Sequence, residues 1–113
     1  MSINIYHNPR CSKSRQTLAL IEHHQPKVIK YLDTPLTLEE LKRVAEKLDL
    51  GVSAMIRPKE AEFVASGLTL ASEPDDLLAF LAEHPKAMER PIVETSTQAR
   101  IGRPPENVLD ILP

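Results

Sequence analysis

Two short alternating stretches, "SINIY" at residues 2–6 and "KVIKYL" at 27–32, stand one helix apart, and that spacing constrains the fold more than any other feature of the chain. In the first, Ile3 and Ile5 fall on one side of an extended backbone, as a half-buried strand requires. Asn8-Pro9 then breaks the strand. From residue 12 to about 24 apolar side chains, Leu18 and Ile21 among them, recur at helical spacing until Gln25-Pro26 ends the run. Strand, helix and strand at this length form the right-handed parallel unit of an α/β protein.

The remainder is helices followed by a hairpin. In "LTLEELKRVAEKLDLG", Thr37 and Glu40 predict a capping box, Leu36 and Leu41 a hydrophobic staple, and Gly51 the stop. Leu38, Leu41, Val44, Ala45 and Leu48 make the stripe such a helix would bury. A single turn at 53–56, a helix over 58–66 closed by Gly67, and a helix in "SEPDDLLAFLAEHP" burying Leu77, Leu78 and Leu81 come next. Strands around 91–95 and 99–102 predict an antiparallel hairpin, and Pro104-Pro105 opens a last helix carrying Val108, Leu109 and Leu112. The order is that of a thioredoxin-like α/β fold with a four-stranded mixed sheet. It forms one domain over 1–113, with a helical block inserted at about 37–84.

Cys11 is the only cysteine, and the pattern sets it at the junction of the first strand and helix. A sulfur there faces unpaired backbone N–H groups and the positive end of the helix dipole, which favour thiolate over thiol. Arg10, Lys13 and Arg15 add charge of the same sign, so Cys11 should titrate below an ordinary thiol and react. A buried filler is the alternative, poorly served by Pro-Arg before it and Ser-Lys-Ser-Arg after it. Ser14 returns to the same side of the first turn, where its hydroxyl can donate to the sulfur or simply cap the helix. His7, at the strand end, can orient Asn8 or end the strand at the surface. With one cysteine, any redox cycle must borrow its second thiol from another molecule.

Of seven arginines, three stand directly before proline: Arg57, Arg90 and Arg103. A residue before proline is kept extended, so each guanidinium leaves a stiff site and the three could converge on a tetrahedral oxyanion. Each could equally mark a solvated boundary. Other chemistries are poorly supplied. Three glycines leave no phosphate-cradling loop, and the four histidines make no zinc spacing with Cys11. The formal charge of -2 gives no general pull toward nucleic acid or an anionic membrane. No leader and no apolar run near the ~20 residues of a spanning helix is visible, so the expectation is a cytoplasmic protein.

Taken together, "YHNPRCSKSR", "YLDTP", "RPIV" and "IGRPPENVLDILP" resemble the arsenate reductase family that works with glutathione and glutaredoxin, nearly end to end. "NPRCSKSR" with "ARIGRPPE" is especially similar to a subgroup of arsenate-reductase-related proteins. The resemblance implies a thioredoxin-like fold with a helical insertion and no bound cofactor or metal. It implies arsenate as substrate, glutathione as co-substrate and a glutaredoxin as partner. By position, Cys11 resembles the nucleophile, His7 and Ser14 the residues that lower its pKa, Arg57, Arg90 and Arg103 the oxyanion clamp, and Pro91 the family's cis-proline beside Asn8 at the site. Two competing functions are a glutathione-dependent thiol oxidoreductase that does not use arsenate, and a regulator that binds RNA polymerase as Spx proteins do. Ser14 stands where redox-sensing Spx proteins carry the second cysteine of CxxC, which argues against a disulfide switch.

Overall fold

A computed structural model describes residues 2–48 and 50–113; Asp49, within the expected first inserted helix, and Met1 lie outside the described residues. The chain groups into two compact units, Met1–Thr34 with Arg90–Pro113, and Pro35–Glu89.

The first unit contains the sheet. β1 (Asn4–His7) leads into α1 (Ser12–Ile21), which tightens into a 3₁₀ turn at Glu22–His24 before β2 (Lys27–Lys30). The turn ends because Gln25 adopts the left-handed conformation, φ 55°, and its N–H closes on the Glu22 carbonyl. β3 (Ile92–Glu94) and β4 (Ala99–Ile101) complete a sheet of order β2-β1-β3-β4. β1 runs parallel to β2, Ile5 opposite Val28, and antiparallel to β3, Ile5 opposite Val93. β4 returns antiparallel to β3, as the hairpin pattern predicts. This is the mixed four-stranded sheet of a thioredoxin-like α/β fold.

One face of this sheet carries Ile3, Ile5 and Val93, which bury with Ile21, Val108 and Ile111 and are flanked by Leu18, Leu20 and Leu112. Each such side chain contributes about 1.5–3 kcal/mol by leaving water. The last element is a 3₁₀ helix, Pro105–Ile111, and its period of about three residues per turn puts Val108 and Ile111 inward. Leu109, expected in the core on an α-helical period, is therefore 43% exposed. β2 also stops two residues short of the expected 27–32, because Asp33 and Thr34 turn their N–H groups back onto the Lys30 carbonyl.

The second unit is helical. α2 (Leu38–Lys47) has the expected capping box: the Thr37 hydroxyl accepts from the Glu40 N–H at 3.1 Å, and the Glu40 carboxylate accepts from the Thr37 N–H at 2.9 Å. Leu41 and Val44 are buried, whereas Leu38, in the first turn, is largely exposed. Gly51 has φ 78° but is not the residue that stops α2; Leu48 leaves the helix first, and Gly51 opens a 3₁₀ turn at Val52–Met55. α3 (Ala61–Ser66) begins three residues later than expected, since Arg57 to Glu60 close their own turn, and ends on Gly67 with φ 78°. α4 (Pro74–Glu83) packs against α2, buries Leu77, Leu78, Phe80 and Leu81, and sets Phe80 edge-on to Phe63 with centroids 5.4 Å apart.

Candidate active site

The site is built where β1 hands over to α1. Asn8 shapes the turn with both of its oxygens: the main-chain carbonyl accepts from the Cys11 N–H and the side-chain oxygen from the Arg10 N–H, each at 3.0 Å. Pro9 fixes one backbone angle of the turn, and its carbonyl is held by Arg15 Nη1 at 2.9 Å. Arg15 thus braces the turn. Cys11 is left in extended conformation, φ -95° and ψ 124°, as the cap residue of α1, half-buried and with a free thiol.

Burial raises the Cys11 pKa. The main-chain amides of Ser14 and Lys13 and the Arg90 guanidinium more than offset it, so the thiol titrates below its ordinary value. The expected direction holds, while its sources differ from those expected. Lys13 acts through its amide, and the guanidinium groups come from the far end of the chain. Arg103 Nη2 lies 3.6 Å from Cys11 Sγ and donates to it. Burial also opposes the charge on Arg90, and the sulfur together with Tyr31 more than restores it.

Both arginines are held by the same stretch of backbone. The Arg90–Pro91 and Arg103–Pro104 peptide bonds are both cis. Arg103 Nε donates to the Arg90 carbonyl at 2.8 Å, the Gly102 N–H to the Pro91 carbonyl at 2.9 Å, and Asn107 Nδ2 to the Arg103 carbonyl at 3.0 Å. Arg57, the third member of the expected clamp, belongs to the second unit, where Nη1 makes a 3.4 Å ion pair with Glu60.

His7 and Ser14 form a buried pair below the turn, His7 Nδ1 standing 2.6 Å from Ser14 Oγ. Ser14 Oγ also accepts from the Asn8 N–H at 3.0 Å. Its hydroxyl, expected to reach the sulfur, is thus engaged with the strand end, and the Ser14 amide faces the sulfur in its place. Burial lowers the His7 pKa, and the charges of Lys30 and Arg15 lower it further. A neutral imidazole with Nδ1 as acceptor receives a hydrogen bond from the Ser14 hydroxyl, whose oxygen still accepts from the Asn8 N–H. Through Asn8 the pair fixes the turn that holds Cys11. Truncating Ser14 would leave a buried amide unpaired, which costs about 1–3 kcal/mol.

Three participants were not visible in the sequence. Tyr31, fully buried in "YLDTP", stabilises the Arg90 charge. Thr17 and Gly102 touch where α1 passes the end of β4. The one available signal was a glycine placed directly before Arg103-Pro104. Glu94, two residues beyond Ile92, is 2% exposed and takes the Tyr6 hydroxyl at 2.6 Å and Asn4 Nδ2 at 3.3 Å on its carboxylate. Among the described residues no cluster of three or more His, Cys, Asp or Glu side chains could hold a metal ion. No helix there is long and apolar enough to cross a membrane.

Several known proteins are similar to this chain. A solved structure of an arsenate reductase from Vibrio cholerae superposes with a TM-score of 0.89, is 54% identical, and matches 99% of this chain and 98% of its own. An arsenate reductase of Haemophilus influenzae is 44% identical over 99% of this chain and all of its own length. One of Neisseria meningitidis is 45% identical over 97% of each chain. The model of the ArsC family matches residues 6–111, from the end of β1 through the cysteine, both cis-proline arginines and the final 3₁₀ helix. With the family model spanning nearly the whole chain and relatives this similar over their full length, the chain belongs to the ArsC family.

Proposed function

We propose that the protein is an arsenate reductase coupled to glutathione and glutaredoxin, with Cys11 as its nucleophile. The observation that carries this reading is a single half-buried sulfur receiving the amides of Lys13 and Ser14 and the guanidinium groups of Arg90 and Arg103. Those donors favour the thiolate at rest and an oxyanion once one is bound. The names of the similar proteins agree with that choice of anion.

In the first step the Cys11 thiolate attacks arsenic, an S–As bond forms, and one arsenate oxygen departs as water after taking up protons. Arg90 and Arg103 balance the charge on the remaining oxygens. A glutathione thiolate then attacks the Cys11 sulfur. The S–As bond breaks and its electron pair leaves with arsenic, which passes from the pentavalent to the trivalent state as arsenite. Cys11 is left in a mixed disulfide with glutathione. A glutaredoxin thiol then reduces that disulfide, since the one cysteine of the sequence needs a thiol from another molecule to resolve it. His7, Ser14 and Asn8 act by holding the turn in place.

The test is NADPH consumption in a coupled assay with glutathione, glutathione reductase and a glutaredoxin on adding arsenate. The wild type should turn over and Cys11→Ser should fall to the blank. A wild type at the blank with several glutaredoxins overturns the proposal.

A further inference from the structure

The three glycines divide sharply. Gly51 and Gly67 have φ 78° and open space where a side chain would go, so they serve backbone conformation alone. Gly102 is the reverse. Its φ is one any residue adopts, but a Cβ placed on it would lie 2.5 Å from Thr17 Oγ1, 2.9 Å from Pro91 Cγ and 3.1 Å from Thr17 Cγ2. None of these neighbours can give way easily. Thr17 is fully buried and its hydroxyl donates to the Lys13 carbonyl at 2.8 Å, which fixes its rotamer. Pro91 is a ring whose carbonyl already accepts the Gly102 N–H.

This close approach joins the two halves of the thiolate site. Thr17 lies six residues beyond Cys11, less than two turns along the same helix. Gly102 immediately precedes Arg103, whose guanidinium sits 3.6 Å from the sulfur, already at the long end of a useful contact. Any outward shift of the Gly102 backbone carries Arg103 away from Cys11. We propose that the contact of Gly102 with Thr17 is a positioning device that sets the reach of Arg103 onto the Cys11 sulfur. Its kinetic consequence rests on the arsenate reductase reading; its effect on the thiolate does not.

Because Cys11 is the single cysteine, its rate of alkylation by iodoacetamide across pH reports the thiolate cleanly. In Gly102→Ala the rate at pH values below the titration should fall about three- to tenfold, with the midpoint moving up toward an ordinary thiol. In the coupled assay KM for arsenate should rise more than kcat falls. The double variant Gly102→Ala with Thr17→Ala removes the neighbours at 2.5 and 3.1 Å and should return the alkylation rate to within about twofold of Thr17→Ala alone. A wild-type rate in Gly102→Ala overturns the proposal. So does a loss that the double variant fails to recover, since the cause then lies outside the contact with Thr17. If Gly102→Ala yields no folded protein, the double variant should still be soluble and reactive, and an insoluble or unreactive one rejects the device. A wild type that alkylates at low pH but turns over no arsenate defeats the proposed function, and the alkylation arm still decides the role of Gly102.

Discussion

The two compact units spend their charge in opposite ways. The unit containing the sheet has eight basic against five acidic side chains, the helical unit six against eleven, although the whole chain is close to neutral at -2. The contrast is clearest at helix N-termini. In the helical unit each α-helix carries acid in its first turn: Glu39 and Glu40 in α2, Glu62 in α3, Asp75 and Asp76 in α4. α1 has none, and a sulfur takes the cap position. A carboxylate in a first turn spends the helix dipole on stability. Leaving α1 without one reserves the same amides and field for a thiolate and an incoming anion. A chain of near-zero net charge can thus hold a strongly anion-favouring site without any global attraction for anions.

The sharpest way to break the comparison is to remove a guanidinium from each unit. Arg103→Ala should lower kcat/KM for arsenate by about 10²-fold, as loss of one oxyanion donor does, and move the thiolate midpoint upward. Arg57→Ala should leave that midpoint where it is, because its guanidinium already serves an ion pair with Glu60. Equal shifts of the midpoint in the two variants, read by thiolate absorbance against pH, would erase the distinction between the units.

A smaller effect follows from making α1 resemble its counterparts. Lys13→Glu keeps the backbone amide that faces the sulfur but puts a carboxylate in the first turn. At about 0.3–1 kcal/mol the alkylation rate at low pH should drop about two- to fivefold. A faster rate would show that the dipole is not the resource held in reserve.

The smallest effect belongs to the helical unit. Thr37→Ala removes half of the α2 capping box and should cost about 1 kcal/mol in denaturant unfolding while leaving the Cys11 titration unchanged. A moved titration would mean that cap chemistry in one unit controls the thiolate in the other.

What could be read beforehand was whatever is local in sequence. The capping box at Thr37 and Glu40, the break at Asn8-Pro9, the Gly67 stop and the hairpin of β3 and β4 each rest on residues within a few positions of one another. Where a local rule has two solutions the pattern misled. Val108, Leu109, Ile111 and Leu112 fit an α-helical or a 3₁₀ period, and the sheet took the 3₁₀ one. The spacing puts Ser14 on the Cys11 side of the first turn, but its hydroxyl has a nearer partner in His7.

By itself the sequence determined that one cysteine would stand at the start of a helix, with the sign of its pKa shift, because amide direction and dipole belong to any helix in that register. Only the tertiary structure decided which cations complete the site. Arg90 and Arg103 are about 80 and 90 positions away along the chain. The bond from Arg103 Nε to the Arg90 carbonyl and a glycine with no room for a methyl group set their place at the sulfur. Reach of that kind is fixed by packing between segments remote in sequence, and no local spacing encodes it.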